Sequence, residues 1–302
     1  MVRFATVADR NAVENEMPYG ERDLPRSVYE ALTRIRDAHP QRPAISFQLF
    51  SAPGAPAQTL NWTELHERVT ETANLFHSLG IGPQDVVAYM LPNTLATPVV
   101  MLAGASVGIV NPINPLLDAE QIAGILRETG AKVLVTLKSF PKTDIAQKAA
   151  QAVAMAPNVH TVLEIDLRSY LTGLKRLLVP LMRPKIPTRH QAKVIDFEAA
   201  ASGQRHNRLI FQLPTDPRVA AYFHTGGTTG TPKVAQHKVS GMIYNGWLGG
   251  MLLFTEKDVM MCPLPMFHVF AVYPILMSCV MSGAHLVMPT RAGYRGEGVF
   301  DN

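Results

Sequence analysis

HTGGTTGTPK, residues 224–233, holds three glycines, four threonines, a proline and a lysine in ten positions. The run that delivers the chain into it, VAAYFHT (219–225), is apolar and β-prone, so the loop is entered from a strand. Gly226, Gly227 and Gly230 permit positive φ and let backbone N–H groups approach an anion closely. The hydroxyls of Thr225, Thr228, Thr229 and Thr231 can donate to oxygens, and Lys233 adds a mobile positive charge. Together these are the parts of a polyphosphate cradle; on composition alone, a Gly-rich turn joining two strands is the competing reading. Spacing excludes two other phosphate loops. Pro232 separates Lys233 from the Gly-Thr pair where a P-loop needs Gly-Lys-Ser/Thr, and GxGxxG does not occur in this stretch.

Outward from the loop, the chain alternates strand and helix signals. QTLNWTELHERVTETANLFHSLG (58–80) reads as a short alternating strand followed by a helix, with Thr63 as N-cap and Gly80 as the stop. DVVAYM (85–90) is a strand, a Pro-Asn turn and an apolar helix ending near Gly104–Gly108 follow, and another strand-like run precedes Pro112. Asp118 caps QIAGILRETG, and KVLVT (132–136) is again a strand. The grammar returns in DVMMC (258–262), FAVYPILMSCVM (270–281) and HLVMP (285–289). Asp85–Pro112 and Asp258–Pro289 therefore read as two copies of one pattern, although chance likeness between two strand–helix–strand units explains the match as well. The expected fold is α/β, with mainly parallel sheets and helices on both faces. Residues of about 20–165 form a first α/β subdomain, 166–217 an excursion and linker, and 218–302 the start of a second that carries the loop.

Composition narrows the function. With 47% of its 302 residues in the AVILMFWYC set and 17% charged, the chain is globular. A net charge of +4 suits a polyanionic small ligand, but the basic residues are scattered and match no nucleic-acid module. Cys262 and Cys279 lie in apolar runs, expected to be buried free thiols of a cytoplasmic protein. The N-terminus shows no secretory pattern. The uncharged stretches 86–117 and 259–290 are too often broken by proline to span a membrane and read as buried core. LRSYLTGLKRLLVPLMRPKIPTRHQAK (167–193) mixes leucines with basic residues, which is compatible with contact at a membrane surface; Pro180, Pro184 and Pro187 favour a surface excursion between subdomains instead.

YFHTGGTTGTPK (222–233) resembles, at every signature position, the phosphate loop of the adenylate-forming enzymes, the superfamily of acyl-CoA synthetases, amino-acid adenylation domains and luciferases. Three more stretches agree in order: LNWTEL (60–65), the small-residue turn MLAGASVGIVNPINP (101–115), and PMFHVF (265–270), which is similar to the Phe-His motif of acyl-CoA synthetases. The resemblance implies attack of a carboxylate on the α-phosphorus of ATP, loss of pyrophosphate to give an acyl adenylate, and then thiolysis by coenzyme A. It implies that Thr225, Gly226, Gly227, Thr228, Thr229, Gly230, Thr231 and Lys233 hold the departing phosphates and that Mg²⁺ bridges those phosphates. It also places His268 where the acyl carboxylate meets ATP; His237, four residues after Lys233, matches a frequent histidine of the family too but is read as structural. Ala271, Val272 and Tyr273 stand where the family often has glycine, which bears on the width of the acyl channel.

The superfamily's Tyr-Gly-x-Thr-Glu and Thr-Gly-Asp segments, its hinge and its C-terminal domain do not occur within residues 1–302. The expectation is thus the phosphate-loop half of an acyl-CoA ligase, inactive alone or completed by a complementing C-terminal chain. The apolar 270–281 run favours a fatty acid as substrate. The alternative is a non-catalytic remnant or partner-dependent binding protein that docks a partner on an unfilled sheet edge.

Overall fold

The uncharged runs at 86–117 and 259–289 form the interior around which the chain folds, in a computed structural model that describes residues 6–50, 56–214, 217–225 and 233–289. Helices α1 (Val7–Glu16) and α2 (Val28–Ala38) come first, then strands β1 (Pro43–Gln48) and β2 (Ala57–Asn61). Helix α3 (Trp62–Ser78), strand β3 (Val86–Met90), helix α4 (Ala96–Val107) and strand β4 (Ile109–Pro112) follow. Next come α5 (Ala119–Thr129), β5 (Ala131–Leu137), α6 (Ile145–Ala154) and β6 (Thr161–Ile165). The excursion contributes α7 (Gly173–Met182), β7 (Lys193–Asp196) and α8 (Phe197–Ser202). The hairpin β8 (Val219–His224) and β9 (Val234–Lys238) leads to α9 (Val239–Leu252) and β10 (Val259–Met261). A π-helical segment, Ala271–Met277, runs into α10 (Ser278–Ser282), and β11 (His285–Met288) follows.

The strands form a seven-stranded sheet in the order β7-β6-β5-β3-β4-β8-β9 and a four-stranded sheet in the order β10-β11-β1-β2. All pairs in the larger sheet are parallel except β8–β9, and only β1–β2 is antiparallel in the smaller one. Parallel strands need crossovers that place helices on the faces, hence the continuous apolar runs of β3 and β5. The two patterns matched in the sequence, Asp85–Pro112 and Asp258–Pro289, each place neighbouring parallel strands around a helical crossover, one in each sheet. The sheets do not follow the linear division of the sequence. The loop-bearing β8 joins the larger sheet beside β4, whereas β1 and β2 complete the smaller sheet beside β11, because a parallel partner is set by the crossover and not by sequence distance.

Local chemistry sets the element ends. Helix α3 starts two residues earlier than Thr63 suggests: Asn61 Oδ1 accepts from Glu64 N at 2.8 Å while Glu64 Oε2 accepts from Asn61 N at 2.8 Å, a closed capping box. The Thr63 hydroxyl instead donates to Pro40 O at 3.1 Å. Asp118 caps α5 as expected, again in a capping box with Gln121. Every residue of α4 is buried, and it packs on α2, α3 and β4. Its end is fixed by Gly108, where a Cβ would lie 2.6 Å from Asp85 O and 2.8 Å from Gly82 O. No helix among the described residues is long and apolar enough to cross a membrane.

Candidate functional site

The HTGGTTGTPK segment leaves the carboxyl end of β8, the end of an open parallel sheet at which ligands are bound. Its two flanks are tied together. Thr225 N donates to Lys233 O at 3.0 Å, and the Thr225 hydroxyl approaches the same carbonyl at 3.4 Å. Antiparallel pairing of His224 with Val234 continues directly into β8 and β9. The hairpin therefore presents Thr225 and Lys233 side by side at the base of the loop. Gly226, Gly227, Thr228, Thr229, Gly230 and Thr231 lie outside the described residues.

Two side chains that the periodicity did not single out fix the base of β8. Arg218 donates to the last carbonyls of α4, Ala105 O and Gly108 O at 2.6 Å each and Ser106 O at 3.0 Å. A cation at a helix C-terminus complements the dipole, and burial still draws this guanidinium down to about 10. His224 Nε2 sits 2.8 Å from Asn111 Oδ1 on β4, a contact suited to a protonated Nε2 donating to the amide oxygen. Burial lowers its pKa to about 4. Its buried Nδ1 has no partner among the described residues.

His268 lies on the turn between β10 and the π-helical segment. Its side chain is exposed, its ring stands 4.9 Å from that of Phe267, and its N–H donates to Pro265 O at 3.0 Å. The turn is held from β3: Asn93 Nδ2 donates to Leu264 O at 2.9 Å, Asn93 Oδ1 accepts from Met266 N at 2.9 Å, and Tyr89 Oη donates to Met266 O at 2.5 Å. Beyond His268, Val269, Phe270, Tyr273 and Pro274 line a cavity of about 210 Å³ with His237 and Asn245. His237 packs its ring 5.0 Å from Tyr273 and 5.3 Å from Phe223, so this residue, expected to be structural, also forms part of a cavity wall. The cavity thus lies between β9, the strand after the loop, and the residues that follow His268. Cys262 and Cys279 are buried free thiols as expected, pushed up to about 11 and about 12 by burial, which keeps both protonated and unreactive.

A family model described as AMP-binding enzyme matches residues 32–298. The chain belongs to the AMP-binding enzyme family. Among relatives, it is 30% identical over 293 residues to the marinolic acid–CoA ligase of Pseudoalteromonas sp. (strain SANK 73390), covering 94% of this chain and 41% of that one. It is 29% identical over 222 residues to the long-chain-fatty-acid–CoA ligase of Escherichia coli O157:H7, covering 71% of this chain and 39% of the relative. This AMP-binding chain therefore spans about two fifths of the length of these relatives. In fold it is similar to the anthranilate CoA ligase AuaEII in complex with anthranoyl-AMP, with a TM-score of 0.71 at 17% identity over 90% of this chain and 46% of that one. The inhibitor-bound N-terminal domain of FACL13 from Mycobacterium tuberculosis gives a TM-score of 0.66 at 19% identity, over 87% of this chain and 57% of that one. Of the expected site residues, the structure brings Thr225 and Lys233 together, and it leaves His268 exposed, one residue before the cavity-lining Val269.

Proposed function

We propose that this chain carries the phosphate-loop half of an acyl-CoA ligase that activates a carboxylic acid with ATP and then transfers the acyl group to coenzyme A. The observation that carries the reading is the pairing of Thr225 with Lys233 at the carboxyl end of β8, which closes the base of HTGGTTGTPK, with a cavity between β9 and the residues that follow His268. In this reading the loop from Thr225 to Lys233 would hold the β- and γ-phosphates of ATP, and Mg²⁺ bound with the nucleotide would supply charge compensation there. Adenylate formation is then a matter of alignment: the carboxylate is held in line with the α-phosphorus, and pyrophosphate departs into the loop. His268 lines the path by which the carboxylate arrives. Tyr273, Val269 and Phe270 give the cavity walls an apolar character that suits an alkyl chain, which supports a fatty acid. Cytoplasmic residence fits this chemistry and the free thiols.

The test is carboxylate-dependent exchange of pyrophosphate into ATP by the gene product isolated from its own cells. Exchange stimulated by fatty acids and lost in Lys233→Ala, with an unchanged unfolding midpoint, is the expected result. Exchange that Lys233→Ala leaves intact, or a folded protein that exchanges with no carboxylate, would refute the reading.

A further inference from the structure

Helix α7 carries its apolar residues on the side facing away from the protein. Leu174, Leu177, Leu178 and Leu181, spaced i, i+3, i+4 and i+7, fall on one stripe, and they are 69%, 72%, 40% and 83% exposed. Met182 extends the stripe, while Val179, on the opposite side, is the helix's buried residue. A surface helix ordinarily has the reverse arrangement, so this face is built for an environment other than water.

Charge identifies that environment. Residues 171–193 contain Lys175, Arg176, Arg183, Lys185, Arg189 and Lys193 and not one acidic residue. Arg183 roots the segment, donating to Asp166 Oδ2 at 2.6 Å and Ser139 O at 2.5 Å, and the Ser139 hydroxyl donates to Pro184 O at 2.6 Å. The other five are exposed. Lys175 sits 5.5 Å over the ring of Phe50, itself an exposed aromatic that widens the apolar patch. Ten residues make a helix about 15 Å long, which can lie in a bilayer surface but not cross it. Pro180 lies within the helix, two residues before its end, and does not interrupt the leucine stripe.

We propose that α7 is an interfacial anchor that docks the protein on an anionic lipid bilayer. The leucine stripe enters the headgroup–acyl boundary, and the flanking Lys and Arg side chains meet lipid phosphates and carboxylates. The rigid attachment through Arg183 and Ser139 fixes which side of the molecule faces the membrane. This inference rests on α7 alone and is independent of the acid that the protein activates.

The experiment is vesicle flotation of the full gene product with phosphatidylcholine vesicles and with phosphatidylcholine–phosphatidylserine vesicles. Binding to the anionic vesicles, weakening as salt is raised, is expected. The double variant Leu177→Ser/Leu181→Ser should lose at least about tenfold in affinity, and Arg176→Gln, Lys185→Gln or Arg189→Gln about fivefold each on anionic vesicles only. Both leucines are exposed, so the variants should retain the parent's unfolding midpoint. In Leu177→Trp, the indole emission should shift to the blue on adding anionic vesicles. Absence of binding by the folded protein, binding that ignores the leucine substitutions, or a self-association that the double variant abolishes without any vesicle binding would each overturn the proposal, the last by making a second copy of the chain the occupant.

Discussion

Asn93 holds Met266. One buried side-chain amide, in the turn after β3, accepts from Met266 N and donates to Leu264 O, both at 2.9 Å, across 173 and 171 positions of sequence. The segment it clamps is the start of the turn that carries Phe267 and His268, so a residue with no chemistry of its own sets where the Phe-His motif stands. Tyr89, one turn of strand earlier, adds a third bond to Met266 O. The larger sheet thereby positions a loop that leads into the smaller one.

Replacing Asn93 with alanine should cost about 2–6 kcal/mol, since it strands a backbone donor and a backbone acceptor at roughly 1–3 kcal/mol each. Urea unfolding measures it. Limited proteolysis near Phe267 should accelerate in parallel, and a loss below about 0.5 kcal/mol would mean that water takes over both bonds.

Acid should destabilise the protein well before its carboxylates protonate. His66 and His224 are both lowered from 6.5 to about 4 by burial, with the Arg36 cation a second cause at His66. A depressed histidine pKa means that the unfolded chain binds protons first, so these two contribute stability that is complete above pH 6.5 and is lost as pH falls toward 4. Burial holds Glu164 and Glu198 above their usual range, which acts in the opposite sense at the lower end of that window. The measurement is therefore a difference: the thermal midpoint of His224→Gln should fall less between pH 6.5 and 4 than that of the parent. Equal slopes would place the neutral ring elsewhere.

How far the sequence foretold this depended on the range of the interaction. Elements fixed by neighbours were legible: Asp118 with Gln121, Gly80 as a stop, the apolar β3 and β5, and the proline-interrupted core runs. The α3 start was missed because Asn61 and Thr63 are both good caps, and only the reciprocal bond from Glu64 chooses between them. The partners of β1 and β8 were not legible at all, since strand order is decided by crossovers. At the site, HTGGTTGTPK announced itself by composition, whereas Asn93, Asn111 and Arg218 act through contacts more than a hundred positions away that leave no local pattern.

The end of α4 offers a pair of opposite predictions. At Gly108 an alanine Cβ would meet two backbone carbonyls, at 2.6 and 2.8 Å, and backbone cannot step aside cheaply. Gly108→Ala should lose about 1–3 kcal/mol of unfolding free energy. Gly124, inside α5, meets nothing within 4 Å, so Gly124→Ala should gain about 0.5–1 kcal/mol from helix propensity. A denaturant midpoint that Gly108→Ala leaves unchanged or raises would contradict the packing described at Gly108, and a fall for Gly124→Ala would contradict the open space at Gly124.

Tyr273 faces the cavity between β9 and the Phe-His turn, and its hydroxyl is buried with no hydrogen-bond partner among the described residues. Burial also drives its pKa upward, so the hydroxyl stays neutral throughout the working range. A polar atom placed there without a bond opposes stability, and Tyr273→Phe should leave the unfolding free energy unchanged or raise it by up to about 1 kcal/mol. The ring contacts to His237 and Phe223, at 5.0 and 5.7 Å, survive the change because only the oxygen is removed. Calorimetry of parent and variant decides it. A loss greater than about 1 kcal/mol would show that the hydroxyl makes a bond in solution.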